Sequence, residues 1–454
     1  NQYRMLMNEG ARNSNLSEQF DLNEIPEHNT NWQDYIFEKN APIKSHEISV
    51  TGGTEKSNYA TSISFFSQDG IVGGDKSHFE RYTARAKSNH QVTSFLNFGS
   101  NLAYTHTLQR GIASNSSFNG ILSSALNLDP LTPVYENDPS ILSLNPYSSE
   151  PVVVDASGRV YGISNLVGDE IVNPLALLEL QNQKNRTDRV NGSVFGELKP
   201  IEGLVVKSAL GIDLTDSIAD SFRPLFYLNS AQNNTEKTSV SKDIWRKFRW
   251  QWDNTISYSK KIANHNFSVL GGTSAIEEKY ENLYGFNAKV PVNDPDHVYL
   301  NMATDTVWKA YGGAAHAAQF SLFGRVTYDY SGRYSFTGIF RRDGSSKFGK
   351  NRRNGSFPSV GFSWLVTDEP FMPEMPRISF IKLRTSWGKN GNQKIGDYQF
   401  VSAMNQTRRY IFGSGSVIGA SPSFVPNADI HWEESEMLNL AIDLGAFENR
   451  FTAT

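Results

Sequence analysis

Apolar and polar residues alternate with a period of two through most of the chain, and the clearest runs set the reading. Over 204–215, Leu204, Val206, Leu210, Ile212 and Leu214 share one face, while Lys207, Gly211, Asp213 and Thr215 share the other. Over 247–258, Phe248, Trp250, Trp252, Ile256 and Tyr258 alternate with Lys247, Arg249, Gln251, Asp253, Thr255 and Ser257. Segments 320–330 and 438–444 repeat the pattern, with Arg325, Asp329 and Asp443 on their polar faces. Alternation of this length predicts strands with one apolar and one polar face. About fourteen are predicted, at 45–52, 58–67, 79–88, 95–108, 188–198, 204–215, 244–258, 265–275, 319–330, 333–342, 359–366, 379–388, 436–445 and from 450 onward.

The connections between these strands alternate in length. Those at 53–57, 89–94, 199–203, 259–264, 331–332 and 446–449 are short, 343–358 and 367–378 are of medium length, and 68–78, 109–187, 216–243, 276–318 and 389–435 are longer. Tight turns at one rim and long loops at the other are the mark of a membrane β-barrel. A large soluble sandwich or propeller also alternates, but gives no reason for loops to do so. In segments 204–214, 320–330, 334–340 and 438–444, the 20 positions of the apolar register hold no charged residue, where the chain average of 20 % predicts about four. On a lipid face each Lys or Arg near the midplane costs about 2–4 kcal/mol. Tyr328, Tyr330, Tyr334 and Phe336 flank the turn Ser331-Gly332, where an interfacial aromatic girdle is expected. The fold class expected is therefore all-β, an antiparallel transmembrane β-barrel. Residues 1–43 are Asn-rich, carry a predicted short helix over Trp32 to Glu38, and read as a connector into a barrel spanning 44–454.

Composition narrows the chemistry. The 454 residues include no cysteine, which excludes disulfide staples, a thiol nucleophile and thiolate metal sites. A net charge of −4 gives no electrostatic case for nucleic acid. The mean hydropathy of −0.45 excludes helical membrane spans and leaves strand-built ones open. The chain opens on Asn1 and ends on what reads as the start of a strand, so an interior piece of a longer protein is expected.

No catalytic constellation emerges. The nine histidines lack ligand spacing, so neither a metal nor a cofactor is expected. Gly413-Ser414-Gly415 and Gly419 have the wrong spacing for a dinucleotide loop and no βαβ unit around them. Asp294-Pro295-Asp296 offers oxygen ligands for calcium, but a Pro-set turn explains it better. The polar register places Lys207, Asp213, Lys247, Arg249, Asp253, Arg325, Asp329, Arg341 and Asp443 toward the lumen. Both signs are present, which suits a hydrated lumen or a plug better than a single-sign filter, and mutual ion pairing along the wall is the simplest role. The densest polar motif is Arg341-Arg342-Asp343-Gly344-Ser345-Ser346-Lys347-Phe348-Gly349, read as a loop that Asp343-Gly344 turns and flanking cations brace.

That motif, with Phe357-Pro358-Ser359-Val360-Gly361, Tyr328 to Tyr334 upstream and Ile381 to Gly388 downstream, resembles the SusC/RagA family of TonB-dependent outer-membrane transporters of the Bacteroidetes. Two further blocks support the resemblance: Trp32-Gln33-Asp34 with Ser49 to Lys56, Tyr59, Gln68 to Val72 and Phe79 to Tyr82, and Trp432-Glu433. The resemblance implies a 22-stranded barrel occluded by an N-terminal plug, coupled to the TonB complex and capped by a SusD-type surface lipoprotein. It implies import of oligosaccharides or peptides across the bacterial outer membrane. Plug and TonB box are absent from these residues, so energy coupling is expected elsewhere, and about fourteen strands alone would leave unpaired edges in lipid. Loops 109–187, 276–318 and 389–435 are the expected contacts for ligand or lipoprotein, with Tyr135, Tyr147 and Tyr161 as rings able to stack on sugars. A passive porin and a soluble β-rich binding module are the alternatives.

Overall fold

Each alternating run forms a strand, and consecutive runs pair. A computed structural model describes residues 1–112, 120–295, 298–373, 375–402 and 404–454. The first half carries β1 (Ile43–Gly53), β2 (Ser57–Gly70), β3 (Gly74–Gln91), β4 (Leu96–Arg110), β5 (Lys184–Leu198) and β6 (Leu204–Arg223). After the two-residue strands β7 (Phe226–Tyr227) and β8 (Asn233–Asn234) come β9 (Ser239–Ile262), β10 (His265–Ala288), β11 (Lys309–Tyr330), β12 (Tyr334–Ser345), β13 (Asn354–Leu365) and β14 (Ile378–Asn392). A hairpin of β15 (Met404–Phe412) and β16 (Gly415–Pro422) precedes β17 (Glu433–Ala446) and β18 (Phe451–Ala453). Fourteen strands make one antiparallel sheet in chain order, skipping only β7–β8 and β15–β16, which pair with each other. Short helices lie outside it: α1 (Gln2–Asn13), α2 (Trp32–Ile36), α3 (Ile121–Asn127), α4 (Pro139–Leu142) and α5 (Pro174–Glu179).

One face of the sheet is apolar across its strands. Leu204, Tyr258, Val269, Val326, Gly338, Val360, Trp387 and Leu438 stand opposite one another in a single row crossing β6, β9 to β14 and β17. Large side chains on this face stay open, as with Leu210, Phe320 and Leu440. On β6 the band runs from Leu204 to Leu214. Ten steps of about 3.4 Å at a tilt of about 40° give a height near 25 Å, the thickness of an outer-membrane apolar band. Above it the same face turns charged: Asp216, Arg246, Glu277, His316 and Arg342 are the first charged or titratable outward positions on β6, β9, β10, β11 and β12. Tyr328, Tyr330, Tyr334 and Phe336 share the apolar face beside the 331–332 turn, and the three tyrosines join His265, Phe267 and Trp364 in one ring network. Ser331 and Gly332 both take positive φ, the hairpin geometry that matches strand twist.

The strands outrun their alternation at the long-loop rim. β9 begins at Ser239, five residues before its pattern, and β10 continues to Ala288, thirteen beyond its own. There both faces meet water, so the ladder persists while the hydropathy signal disappears. Loops shorten accordingly: the connection expected at 68–78 is three residues, 71–73, because β2 and β3 run on to Gly70 and from Gly74.

The compact apolar cores sit in the loops. Trp32 and Ile36 of α2 pack with Ile121, Ala125, Val172, Ala176, Leu177 and Leu178 from the loop between β4 and β5. Asn173 organises that loop: its side-chain oxygen caps α5, and its amide donates to the carbonyls of Val134 and Gly162, each at 3.1 Å. The Trp32 indole donates to the Asp129 carbonyl at 2.9 Å. Phe37 bridges to Val72 in the 71–73 turn, so residues 32–42 reach β1 at the long-loop rim and share the loop core. Residues 32–42 of the segment read as a connector thus pack with the long-loop cluster.

Candidate functional site

The candidate site is the polar face of the sheet, the one expected to line the lumen. Its charges are laced to neighbours on adjacent strands, because inward positions directly or diagonally opposite lie within reach of long side chains. Arg189 donates to Asp213 at 2.9 Å between β5 and β6, and Lys247 meets Glu278 at 3.1 Å between β9 and β10. Arg384 grips Asp443 at 2.7 Å between β14 and β17. Lys207 lies 4.4 Å from the ring centre of Phe195. Along β9, Arg249 donates to Gln251 at 3.3 Å, which donates to Asp253 at 2.9 Å. Asp329 caps the 331–332 turn, accepting from the Gly332 amide at 2.9 Å and the Ser335 hydroxyl at 2.7 Å. Arg325 is exposed and has no polar partner among the described residues.

The Arg341–Gly349 motif divides between the two faces. Arg341 points inward, donating to Asp343 at 2.8 Å and to the Ser321 hydroxyl at 2.9 Å. Arg342 points outward, opposite Leu322 and Ser356. Asp343-Gly344 was expected to turn the chain; instead it continues β12, paired with Gly355 and Asn354, because strand pairing with β13 runs on to this rim. The turn follows at 346–353. The Ser345 amide donates to the Arg353 carbonyl at 3.0 Å, and the Ser346 amide donates to the Ala318 carbonyl at 2.9 Å. Lys347 reaches across to the Ile395 carbonyl at 2.8 Å. Phe348 is fully buried against Trp432, with ring centres 5.3 Å apart, and Phe357 meets Trp432 edge-on at 5.4 Å. A Cβ on Gly391 would stand 2.1 Å from the Phe357 ring, so that position admits only glycine without repacking. The motif and Trp432, separated by more than 80 residues, thus form one plug of rings that ties the 346–353 turn to the 393–432 loop. Their separation in sequence hid that contact.

The loop tyrosines pack against their neighbours. Tyr135 stacks on Tyr161 at 5.0 Å, with Arg159 lying 3.9 Å over Tyr135. Tyr161 is buried, and burial beside the Glu179 carboxylate pushes its phenol up. Tyr147 accepts the Ile163 amide at 2.8 Å, and burial raises its phenol as well. Asp296 of the Asp294-Pro295-Asp296 turn lies outside the described residues.

A different set of rings lies on the polar face, beyond the apolar band. Trp245 and Tyr280 approach to 6.2 Å, and Tyr284 stacks on Tyr311 at 4.7 Å. Their registers place all four on the polar face, above the apolar band, with Asp243 opposite Tyr284 and Lys247 opposite Tyr280. Tyr311 is 60 % exposed. The sequence signal was present as unused aromatics on extended strand ends, where no alternation marked them.

No protein-family model matches the chain. Among curated proteins, TonB-dependent receptor P3 of Formosa agariphila is 27 % identical over 428 residues, covering 93 % of this chain and 40 % of that protein. TonB-dependent receptor SusC of Bacteroides thetaiotaomicron is 28 % identical over 450 residues, covering 93 % and 41 %. The chain spans about two fifths of the length of these relatives. Among solved structures, the RagAB peptide transporter superposes with a TM-score of 0.77 at 22 % identity, over 99 % of this chain and 48 % of that one. A second RagAB structure, in a closed-closed state, gives 0.75. The sheet therefore has the fold of a RagAB-type β-barrel wall, and the chain is similar to TonB-dependent receptors over nine tenths of its length.

Proposed function

We propose that this chain, a barrel segment of the SusC/RagA type in the bacterial outer membrane, supplies the wall and outer loops of an energised importer of oligosaccharides or peptides. The observation that carries the reading is the likeness to TonB-dependent receptors across nine tenths of the chain, on a wall whose inner face is polar and paired. The relatives are named as receptors, and a barrel wall of this kind has a transport role with no enzymatic step.

A wall laced by opposite charges stays hydrated without offering a single-sign trap, so polar uncharged cargo slides past it. The exposed vestibule rings give such cargo flat apolar faces before it reaches the wall. The long-loop rim, held by the cores around Ile121 and Phe348, is the surface on which a SusD-type lipoprotein sits in this reading. Coupling to the TonB complex falls to parts of the full-length protein beyond this segment.

The experiment is uptake of labelled oligosaccharides and peptides by cells expressing the full-length protein, with and without a protonophore. Uptake that stops when the proton gradient collapses supports the importer. Uptake that persists identifies a passive porin.

A further inference from the structure

We propose that a hollow on the outer wall of the barrel, at the upper edge of its apolar band, binds the phosphate-bearing headgroup of a membrane lipid. The hollow lies on the outward faces of β9 to β13 and has a volume of about 640 Å³. It exists because Ala275, Ala318 and Gly344, on neighbouring strands, are too small to fill the outward surface between larger side chains. Trp250, Phe320 and Leu322 form its apolar side, and Arg342, Lys350 and Arg353 form the other.

Charge bookkeeping leaves the hollow cationic. Its one lining carboxylate, Glu277, is already engaged by the Trp250 indole at 2.7 Å, by His316 Nε2 at 2.7 Å and by Lys279 at 3.3 Å. Arg342 and Lys350 are exposed and have no polar partner among the described residues. Arg353 spends one nitrogen on the Phe348 carbonyl, a long contact of 3.4 Å, and keeps its terminal nitrogens. Along β9, β10 and β14 the outward cations above the band are matched, as Arg246 is by Asp216 at 2.6 Å, Lys279 by Glu277 at 3.3 Å and Lys389 by Glu434 at 3.6 Å.

Position selects the occupant. Arg342 is the first outward charge above Phe340 on β12, so its guanidinium stands where acyl chains give way to headgroups. A soluble protein cannot reach this depth past lipid, whereas a lipid already lies there. Its chains pack on Phe320 and Leu322, and its phosphate meets Arg342, which can grip two oxygens at once, and Lys350. The proposal rests on the outward face being lipid-facing and is independent of what the lumen carries.

The test uses the full-length protein, purified in mild detergent and examined by native mass spectrometry with phosphorylated lipid A, its dephosphorylated counterpart, or inorganic phosphate added. The expected result is retention of the phosphorylated lipid at least tenfold over the dephosphorylated one, with no effect of inorganic phosphate at equal concentration. The double variant Arg342→Gln/Lys350→Gln loses that preference, and Lys389→Gln, whose cation is already paired, keeps it. Equal retention of both lipids by the unaltered protein overturns the proposal, and so does a preference that survives in the double variant. Competition by inorganic phosphate alone reassigns the hollow to a free anion and overturns the lipid. Heat-modifiable gel mobility confirms that each variant is folded, and Arg342→Lys/Lys350→Arg restores the preference if a variant fails to fold.

Discussion

The Trp364 indole donates to Glu369 at 2.8 Å, tying the aromatic girdle on β13 to the turn that follows it at the short-loop rim. The same carboxylate accepts from the Tyr334 hydroxyl and from Arg333. An amphipathic ring belongs at a membrane interface when its apolar body lies in lipid and its polar tip has a partner. Glu369→Ala leaves both tips unpaired. The variant should unfold at lower temperature in detergent and show red-shifted Trp fluorescence, and unchanged melting would remove the anchor role.

The face assignment has a sharp mutational signature. Leu210 points to lipid near the middle of the band and Ala209 to the lumen. Leu210→Lys should destabilise the inserted barrel by about 2–4 kcal/mol, and Ala209→Lys far less. Chemical unfolding of both variants in the full-length protein decides it; equal losses would mean the faces are misassigned.

The loop core should fail locally. Ile121 is fully buried among α2, α3 and α5 residues, so Ile121→Ala opens a cavity costing about 2–5 kcal/mol. Limited proteolysis should then cut within 120–180 while the barrel keeps its heat-modifiable mobility. Loss of the barrel as well would show that loop and wall fold as one unit.

Asp305 gives the 289–308 loop a pH dependence. The Lys237 ammonium, 3.1 Å away, holds its carboxyl below the ordinary range, helped by the Val307 amide. A folded-state value below the unfolded one means the clip is fully present above about pH 4 and is lost as pH falls through the depressed value. Hydrogen exchange across 289–308 should therefore rise on acidification below about pH 4, and Asp305→Asn should show the faster exchange already at neutral pH. A variant that matches the unaltered protein at pH 7 would refute this.

The vestibule rings carry the last expectation. Removing one exposed ring, in Tyr311→Ala, forfeits about 0.5–1.5 kcal/mol of stacking, or about a two- to tenfold rise in the concentration for half-maximal uptake. Tyr135→Ala, within the loop core, should change stability first. If the two variants affect uptake alike through instability alone, the vestibule has no contact role.

The sequence by itself determined the wall. From Leu204 to Leu214 or Phe320 to Tyr330, a period of two with an uncharged face is imposed by lipid on one side and water on the other, so the fold class and strand order were readable wherever membrane surrounds the sheet. Only the tertiary structure decided what lies above the membrane. There both faces of β9, β10 and β11 are wet, and the pattern that reveals a strand has no physical cause. Contacts such as Phe348 with Trp432, or Trp32 with the Asp129 carbonyl, join residues far apart in the chain. Closing a long loop is decided by the packing it ends in, and no local spacing records that packing.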